Sequence, residues 1–292
     1  MNGILIINKP TGWTSHDVVA KVRGLLKEKQ IGHLGTLDPL ATGVLPLAVG
    51  TATRLIEFAS YPKEYVTTCL LGKSTDSFDV TGKVLGEMST EGLSAGEVRE
   101  AALKLQRISE QVPPMVSAVK SGGKKLYELA RKGLEVERKA RPVQIEKVEL
   151  IKVELPRVSF RVVCSPGTYI RSLCQTLGEG LGVGGCMESL ERTRVGPFSM
   201  GDSLTLEDVK KKAEAGNLSG MLLPAGRLVE HLPAVPLDEK EIGDVCQGKK
   251  APSKGTPDGT VRVLNPQGQL CAIAEVSEGQ LSPRKVFGVT GI

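Results

Sequence analysis

Gly32-His33-Leu34-Gly35-Thr36-Leu37-Asp38-Pro39-Leu40-Ala41-Thr42-Gly43 is the stretch around which the rest of the chain is organised. Its twelve residues hold one histidine, one carboxylate, a proline directly after that carboxylate and three glycines. Glycine, threonine, aspartate and proline at this density exclude the interior of a helix or strand, so the segment is a loop. Leu34, Leu37 and Leu40 predict that it packs against a core. Pro39 confines Asp38 to extended or turn backbone. Two readings stay open at this point: a tight Asp-Pro turn, or a catalytic carboxylate presented on a rigid loop.

Upstream, Gly3 to Ile7 predicts a strand and Asn8 to Gly12 the turn that ends it. Thr14 with Asp17 predicts the cap of a helix that carries Val18, Val22, Leu25 and Leu26 on one face and runs out near Gln30. Downstream, Val44 to Val49 predicts a buried strand, followed by a short helix through Leu55 and Phe58. The alternation from Glu64 to Glu87 predicts a β-hairpin with Asp76-Ser77-Phe78-Asp79 near its turn. Ser94 with Glu97 opens another helix, and a short strand and a basic helix ending at Gly133 follow Pro113-Pro114. Two strands split near Pro156, a helix from Thr168 to Leu177, a strand from Ser189 to Phe198 and a helix capped by Thr205 and Asp208 complete the body. Beyond Pro224, Pro233 and Pro236 come one short helix and several short strands. The expected fold class is therefore α+β, with a mixed, mainly antiparallel sheet over residues 1–230 and a small β-rich domain over 231–292.

Composition narrows the function. With 292 residues, 40% hydrophobic and 24% charged, the chain is an ordinary globular protein. No apolar run approaches the roughly 18 residues of a membrane span. The first ten residues lack the layout of a signal peptide, so a cytoplasmic location is expected and no membrane partner. Six scattered cysteines without a CxxC pair, and histidines as far apart as His16, His33 and His231, argue against a disulfide framework or a metal site. The net charge of +5 is concentrated: from Lys120 to Lys147, nine Lys and Arg face four Glu. Such a local basic excess fits a polyanionic partner, most simply nucleic acid, or a solvated charged face.

Two motifs resemble nucleotide sites and fail on context. Gly72-Lys73-Ser74 ends like a phosphate-binding loop, but position 67, where the pattern needs glycine, is Thr67. Gly180-Leu181-Gly182-Val183-Gly184-Gly185 satisfies GxGxxG, yet it follows a helical pattern and reads as a helix C-terminus with its loop.

The stretch from Gly32 to Gly43 resembles the signature loop of the bacterial TruB-type tRNA pseudouridine synthases. The resemblance extends, in order, through Asn8-Lys9-Pro10 with Gly12 and Ser15, Lys63-Glu64-Tyr65, Asp76-Ser77-Phe78-Asp79 and Val112-Pro113-Pro114. It continues through Ser117-Ala118-Val119-Lys120, Gly167-Thr168-Tyr169-Ile170-Arg171, Leu190-Glu191-Arg192-Thr193 and Gly196-Pro197-Phe198, and covers about residues 1 to 230. Ser77 stands where the family more often has Thr, which keeps the hydroxyl. The tail resembles the small RNA-binding PUA domain of the family by position and strand pattern.

What the resemblance implies is specific. The expected activity is isomerisation of uridine 55 in the TΨC loop of tRNA to pseudouridine, an enzymatic reaction that breaks the N1–ribose bond, turns the base and rejoins it through C5. It needs neither cofactor nor metal. Asp38 is the implied catalytic carboxylate and Arg171 the cation that holds it charged. Tyr65 is the implied stacking residue for the extruded base, with Tyr169 and Leu190 lining the same site and His33 entering the T-loop. Lys9, Lys120, Lys124, Lys125, Arg131, Lys132 and Arg141 are the expected contacts to the RNA backbone, most of them on a thumb-like basic segment at about 120–147. The expected partner is the T-arm of tRNA, with no obligatory protein partner and a monomeric state. The alternative is a non-catalytic tRNA-binding or folding chaperone of the same architecture.

Overall fold

The structure is a computed structural model of the chain and describes all residues except 118, 122, 131, 132, 135 and 218. Its centre is a sheet in the order Gly3–Lys9, Thr42–Val49, Gly185–Val195, Lys63–Leu71, Arg157–Cys164, Ile145–Glu154. Ile31–His33 pairs with Thr42–Val49, and Phe198–Ser199 with Gly185–Val195. The pairing of Gly185–Val195 with Thr42–Val49 is parallel. The other ladders of this sheet are antiparallel, which is the mixed, mainly antiparallel arrangement expected.

Sequence pattern explains the strand positions. Thr42–Val49 is buried along almost its whole length and reads as a run of apolar residues, as a strand covered on both faces must. Lys63–Leu71 alternates, burying Tyr65, Thr67, Cys69 and Leu71 on one face. It is a central strand with partners on both sides, so it cannot form the expected hairpin with the segment near Glu87. The actual hairpin is smaller, Lys73–Thr75 with Val84–Glu87, and Asp76 to Asp79 lie in its turn region. Val84–Glu87 is exposed throughout and has no apolar face to add to the main sheet.

The Ser15–Leu26 helix starts at the predicted Thr14–Asp17 capping box but stops four residues before Gln30, because Lys27 turns left-handed at φ 52°. Capping boxes also open Ala95–Lys104 at Ser94 and Leu206–Glu214 at Thr205. One core packs the Ser15–Leu26 and Ile170–Gly180 helices on a sheet face through Val18, Val22, Leu173 and Leu177. On the opposite side, Ile4, Ile6, Val44 and Leu55 meet Leu228, Leu270 and Ile273.

From Ala234 onward the chain forms a separate five-stranded sheet, packed with the Glu239–Cys246 helix around its own core of Val235, Val261, Cys271 and Leu281. Arg54 ties this β-rich unit to the body, donating from Nη1 to the Val286 carbonyl at 2.8 Å with its guanidinium 5.0 Å above the Phe287 ring. Lys285 and Glu57 add an ion pair at 3.0 Å.

Candidate active site

The loop from Gly32 to Gly43 is fixed by groups on the neighbouring elements. Buried Ser15 accepts from the Leu37 amide at 2.8 Å and donates to the Leu37 carbonyl at 3.3 Å. The Ala41 amide donates to the Asp38 carbonyl at 3.0 Å, closing the Asp-Pro turn. Pro39 presents its carbonyl to the Gly12 amide at 2.8 Å and to Lys9 Nζ at 3.3 Å. Gly43, at φ +100°, lies against the backbone of Arg192, where a Cβ would stand 2.3 Å from the carbonyl oxygen. The Asp-Pro turn therefore exists, and it holds the Asp38 carboxylate in place.

Arg171 meets that carboxylate from the second residue of the Ile170–Gly180 helix. Its Nε donates to Asp38 Oδ2 at 2.9 Å and its Nη2 to Asp38 Oδ1 at 3.1 Å, a bidentate pair. Nη2 also donates to the Val116 carbonyl at 2.8 Å and Nη1 to the Ser77 carbonyl at 3.0 Å. Asp79 Oδ2 lies 3.9 Å from Nη1. A guanidinium in the first turn of a helix opposes the helix dipole, so these oxygen acceptors are what make the position tenable. The side chain of Arg171 is 3% exposed and that of Asp38 33%, which leaves the carboxylate open to a ligand while its partner is sealed. Gln111 fixes the helix start, accepting from the Tyr169 amide at 2.8 Å and donating to the Tyr169 carbonyl at 3.2 Å.

Asp38 opens onto a cleft of about 210 Å³ whose wall includes Lys63, Tyr65, Ser117, Tyr169, Arg171 and Leu190. The fold thus brings together Asp38, Arg171, Tyr65, Tyr169 and Leu190, which the sequence holds far apart. Tyr65 is buried, and burial raises the pKa of its phenol. Beneath the loop, fully buried Arg192 donates from Nε to the Val44 carbonyl at 2.7 Å and from Nη2 to the Gly35 carbonyl at 3.1 Å. His33 is half-buried at the start of the loop, opposite Leu47, outside the cleft wall. Burial lowers its pKa.

Among the expected backbone contacts, Lys9 is a correction. It is fully buried, and its ammonium donates to the carbonyls of Pro10 at 2.9 Å, Trp13 at 2.6 Å and Pro39 at 3.3 Å. It braces the loop from inside and does not reach a phosphate at the surface. The reason is the inward register of Gly3–Lys9, which spacing could not assign. Lys120 pairs with Lys125, and Ser121 with Lys124, in a short ladder before the Leu126–Ala130 helix. Arg131 and Lys132 lie outside the described residues. Arg141 is exposed and pairs with Gln111, which places the end of the basic segment next to the residue that grips Tyr169. Sequence reasoning missed Lys63 and Ser117 as cleft residues and Gln111 and Arg192 as supports. The signal for Lys63 was its position two residues before Tyr65 on one face of a strand.

This architecture has relatives. Residues 23–170 match the family described as TruB family pseudouridylate synthase (N terminal domain). Residues 171–230 match tRNA pseudouridylate synthase B C-terminal domain, and residues 233–287 match Pseudouridine synthase II TruB, C-terminal. The chain belongs to the TruB family. Within it, the chain is 43% identical over 300 residues to the tRNA pseudouridine synthase B of Syntrophomonas wolfei, covering 99% of each chain. It is also 43% identical to the Heliobacterium mobile protein of the same name, covering 98% of this chain and 95% of that one. Among solved structures, a Cbf5-Nop10-Gar1 complex matches with TM-score 0.77 and 28% identity over 99% of this chain and 86% of that chain. An H/ACA RNP bound to a substrate RNA containing 2'-deoxyuridine matches with TM-score 0.75 and 26% identity over 98% and 84%. The fold class of the TruB chain is thereby that of a pseudouridine synthase, with a PUA-like β-rich unit at its C-terminal end.

Among the described residues, no helix is long and apolar enough to cross a membrane, and no group of three His, Cys, Asp or Glu could hold a metal ion.

Proposed function

We propose that Asp38 and Arg171 are the catalytic pair with which this chain isomerises uridine 55 in the TΨC loop of tRNA to pseudouridine. The observation that carries the reading is the bidentate Arg171–Asp38 contact at a cleft walled by Tyr65, Tyr169 and Leu190. It occurs in a chain similar along its whole length to proteins named tRNA pseudouridine synthase B. The chain is a tRNA pseudouridine synthase, an isomerase.

An ionised carboxylate is what the chemistry needs, to attack the nucleotide or to take a proton from the ribose. Arg171 holds it aimed by a two-point grip that leaves the carboxylate partly exposed to the cleft. The target base leaves its stack and enters the cleft against Tyr65, with Tyr169 and Leu190 closing the site and His33 holding neighbouring bases apart. Exposed cations of the basic segment, Arg141 among them, meet the RNA backbone. The functional division falls between residues 230 and 231, the C-terminal part adding RNA contacts. The chain acts in the cytoplasm on the T-arm, as a monomer without an obligatory protein partner.

The decisive experiment incubates the purified chain and its Asp38→Asn variant with unmodified tRNA and maps pseudouridine. The wild type alone converts position 55; the variant binds tRNA and converts none. A variant that still converted position 55 would sink the Asp38 assignment, and a wild type that bound tRNA but converted none would make the chain a chaperone.

A further inference from the structure

Lys63 stands in the cleft without a function in the preceding scheme. It is the first residue of Lys63–Leu71, and strand alternation puts its side chain on the same face as Tyr65. Its backbone is fixed between Cys164 and Val195 on the flanking strands. The ammonium crosses the bare face of Gly35, where a Cβ would stand 2.7 Å from Nζ. The loop glycine thus makes room for this lysine.

The surrounding cations all have acceptors. Arg171 holds Asp38 and two carbonyls, Arg192 two carbonyls, and Lys9 three. Lys63 is different: among the described residues none accepts a hydrogen bond from its ammonium or forms an ion pair with it. A cation drawn out of water without a protein acceptor is costly to keep, and a cleft is where such a cost has a use. The acceptor is then a group the ligand brings.

We infer that Lys63 is a further catalytic residue, which stabilises the negative charge of the uracil base while it is detached from the ribose. The inference rests on the isomerase reading above. When the N1–C1′ bond breaks, its electron pair leaves with the base, and the free uracil carries one negative charge shared by N1, O2 and O4. Rejoining uses an electron pair of the base in the new C5–C1′ bond; C5 then loses its proton and N1 gains one, so the product is an isomer. A fixed ammonium in the cleft wall favours the state in which that charge is largest, as a preorganised donor does for an oxyanion. Asp38 serves the ribose side of the breaking bond and Lys63 the base side.

The groups facing Lys63 are Arg192 and Cys164 from the flanking strands, His33 and Asp38 from the loop, Tyr65 from its own strand and Arg171 across the cleft. Burial and then the Arg192 charge lower the Lys63 pKa to about 8. The ammonium is therefore lost as pH rises through that value, and a rate that needs it falls on the alkaline side.

The test is single-turnover conversion of an unmodified tRNA transcript at saturating enzyme, from neutral to alkaline pH, with Kd and Tm measured alongside. Lys63→Met is expected to slow the rate constant about 100-fold at neutral pH while leaving Kd within about twofold. Lys63→Arg, which stays charged, is expected to restore most of the rate and to remove the wild-type fall near pH 8. A Lys63→Met enzyme at wild-type rate overturns the inference. So does one whose Kd weakens while its saturated rate holds, which would assign the lysine to a phosphate, and so does a lowered Tm without rescue by arginine. Wild type and Asp38→Asn run in parallel separate the two claims: if the wild type converts none the isomerase reading fails, if Asp38→Asn is active the Asp38 assignment fails, and if Asp38→Asn is inactive while Lys63→Met is fully active only the Lys63 assignment fails.

Discussion

Gln111 grips Tyr169 by both of its backbone polar groups, accepting from the amide at 2.8 Å and donating to the carbonyl at 3.2 Å. Tyr169 has no side-chain cap of its own, and Arg171 follows two residues later. One amide side chain therefore sets where the Ile170–Gly180 helix starts and, through it, where the guanidinium meets Asp38. Replacing Gln111 with Ala strips partners from a buried region and is expected to cost about 1–3 kcal/mol of stability. Chemical denaturation measures this, and the single-turnover rate should fall with it as Arg171 loosens.

Arg171→Lys keeps a positive charge but gives up the two-point grip on Asp38 and the hydrogen bonds to the Ser77 and Val116 carbonyls. A misaligned catalytic group commonly slows a reaction on the order of 100-fold, and that is the expected drop in pseudouridine formation. A lysine variant with wild-type turnover would show that bidentate geometry is not required.

Lys9 titrates from inside the fold. Burial lowers its pKa from 10.5 to about 8, so between those values the unfolded chain holds a proton that the native chain has released. Stability from this group therefore rises as pH increases through that window, and the cost of the buried charge is fully present below about 8. Comparing wild type with Lys9→Met in denaturant titrations across the window isolates the slope, which the variant should lack. Because Lys9 is buried, the same variant should leave the salt dependence of tRNA binding unchanged.

Lys139 and Arg141 are exposed at the end of the basic segment. Changing both to Gln should weaken tRNA binding and reduce the slope of log Kd against log salt by roughly 1.5, since each neutralised phosphate adds about 0.7–0.9 to that slope. Filter binding over a salt series gives the number. An unchanged slope would take these two side chains off the RNA.

How much of this was legible in the chain varies with the range of the interaction. Thr14–Asp17, Ser94–Glu97 and Thr205–Asp208 were readable as helix starts because a capping box is closed within three residues. Lys63–Leu71 misled, since its alternation fits an edge hairpin as well as a central strand, and only its pairing with Gly185–Val195 and Arg157–Cys164 decides between them. The role of Lys9 was hidden for a similar reason: a lysine beside a turn looks like surface until the strand register turns it inward.

The loop from Gly32 to Gly43 draws the same line. Sequence by itself determined that it is a loop, that Pro39 stiffens Asp38, and, through an ordered family resemblance, which distant residues belong with it. Local backbone sterics and residue order suffice for that. The tertiary structure alone decided that Asp38 and Arg171 meet bidentately, that Gly35 clears a path for Lys63, and that Lys9 and Arg192 brace the turn from beneath. Those contacts join residues far apart in the chain, and their distances depend on strand register and packing, which no local pattern encodes.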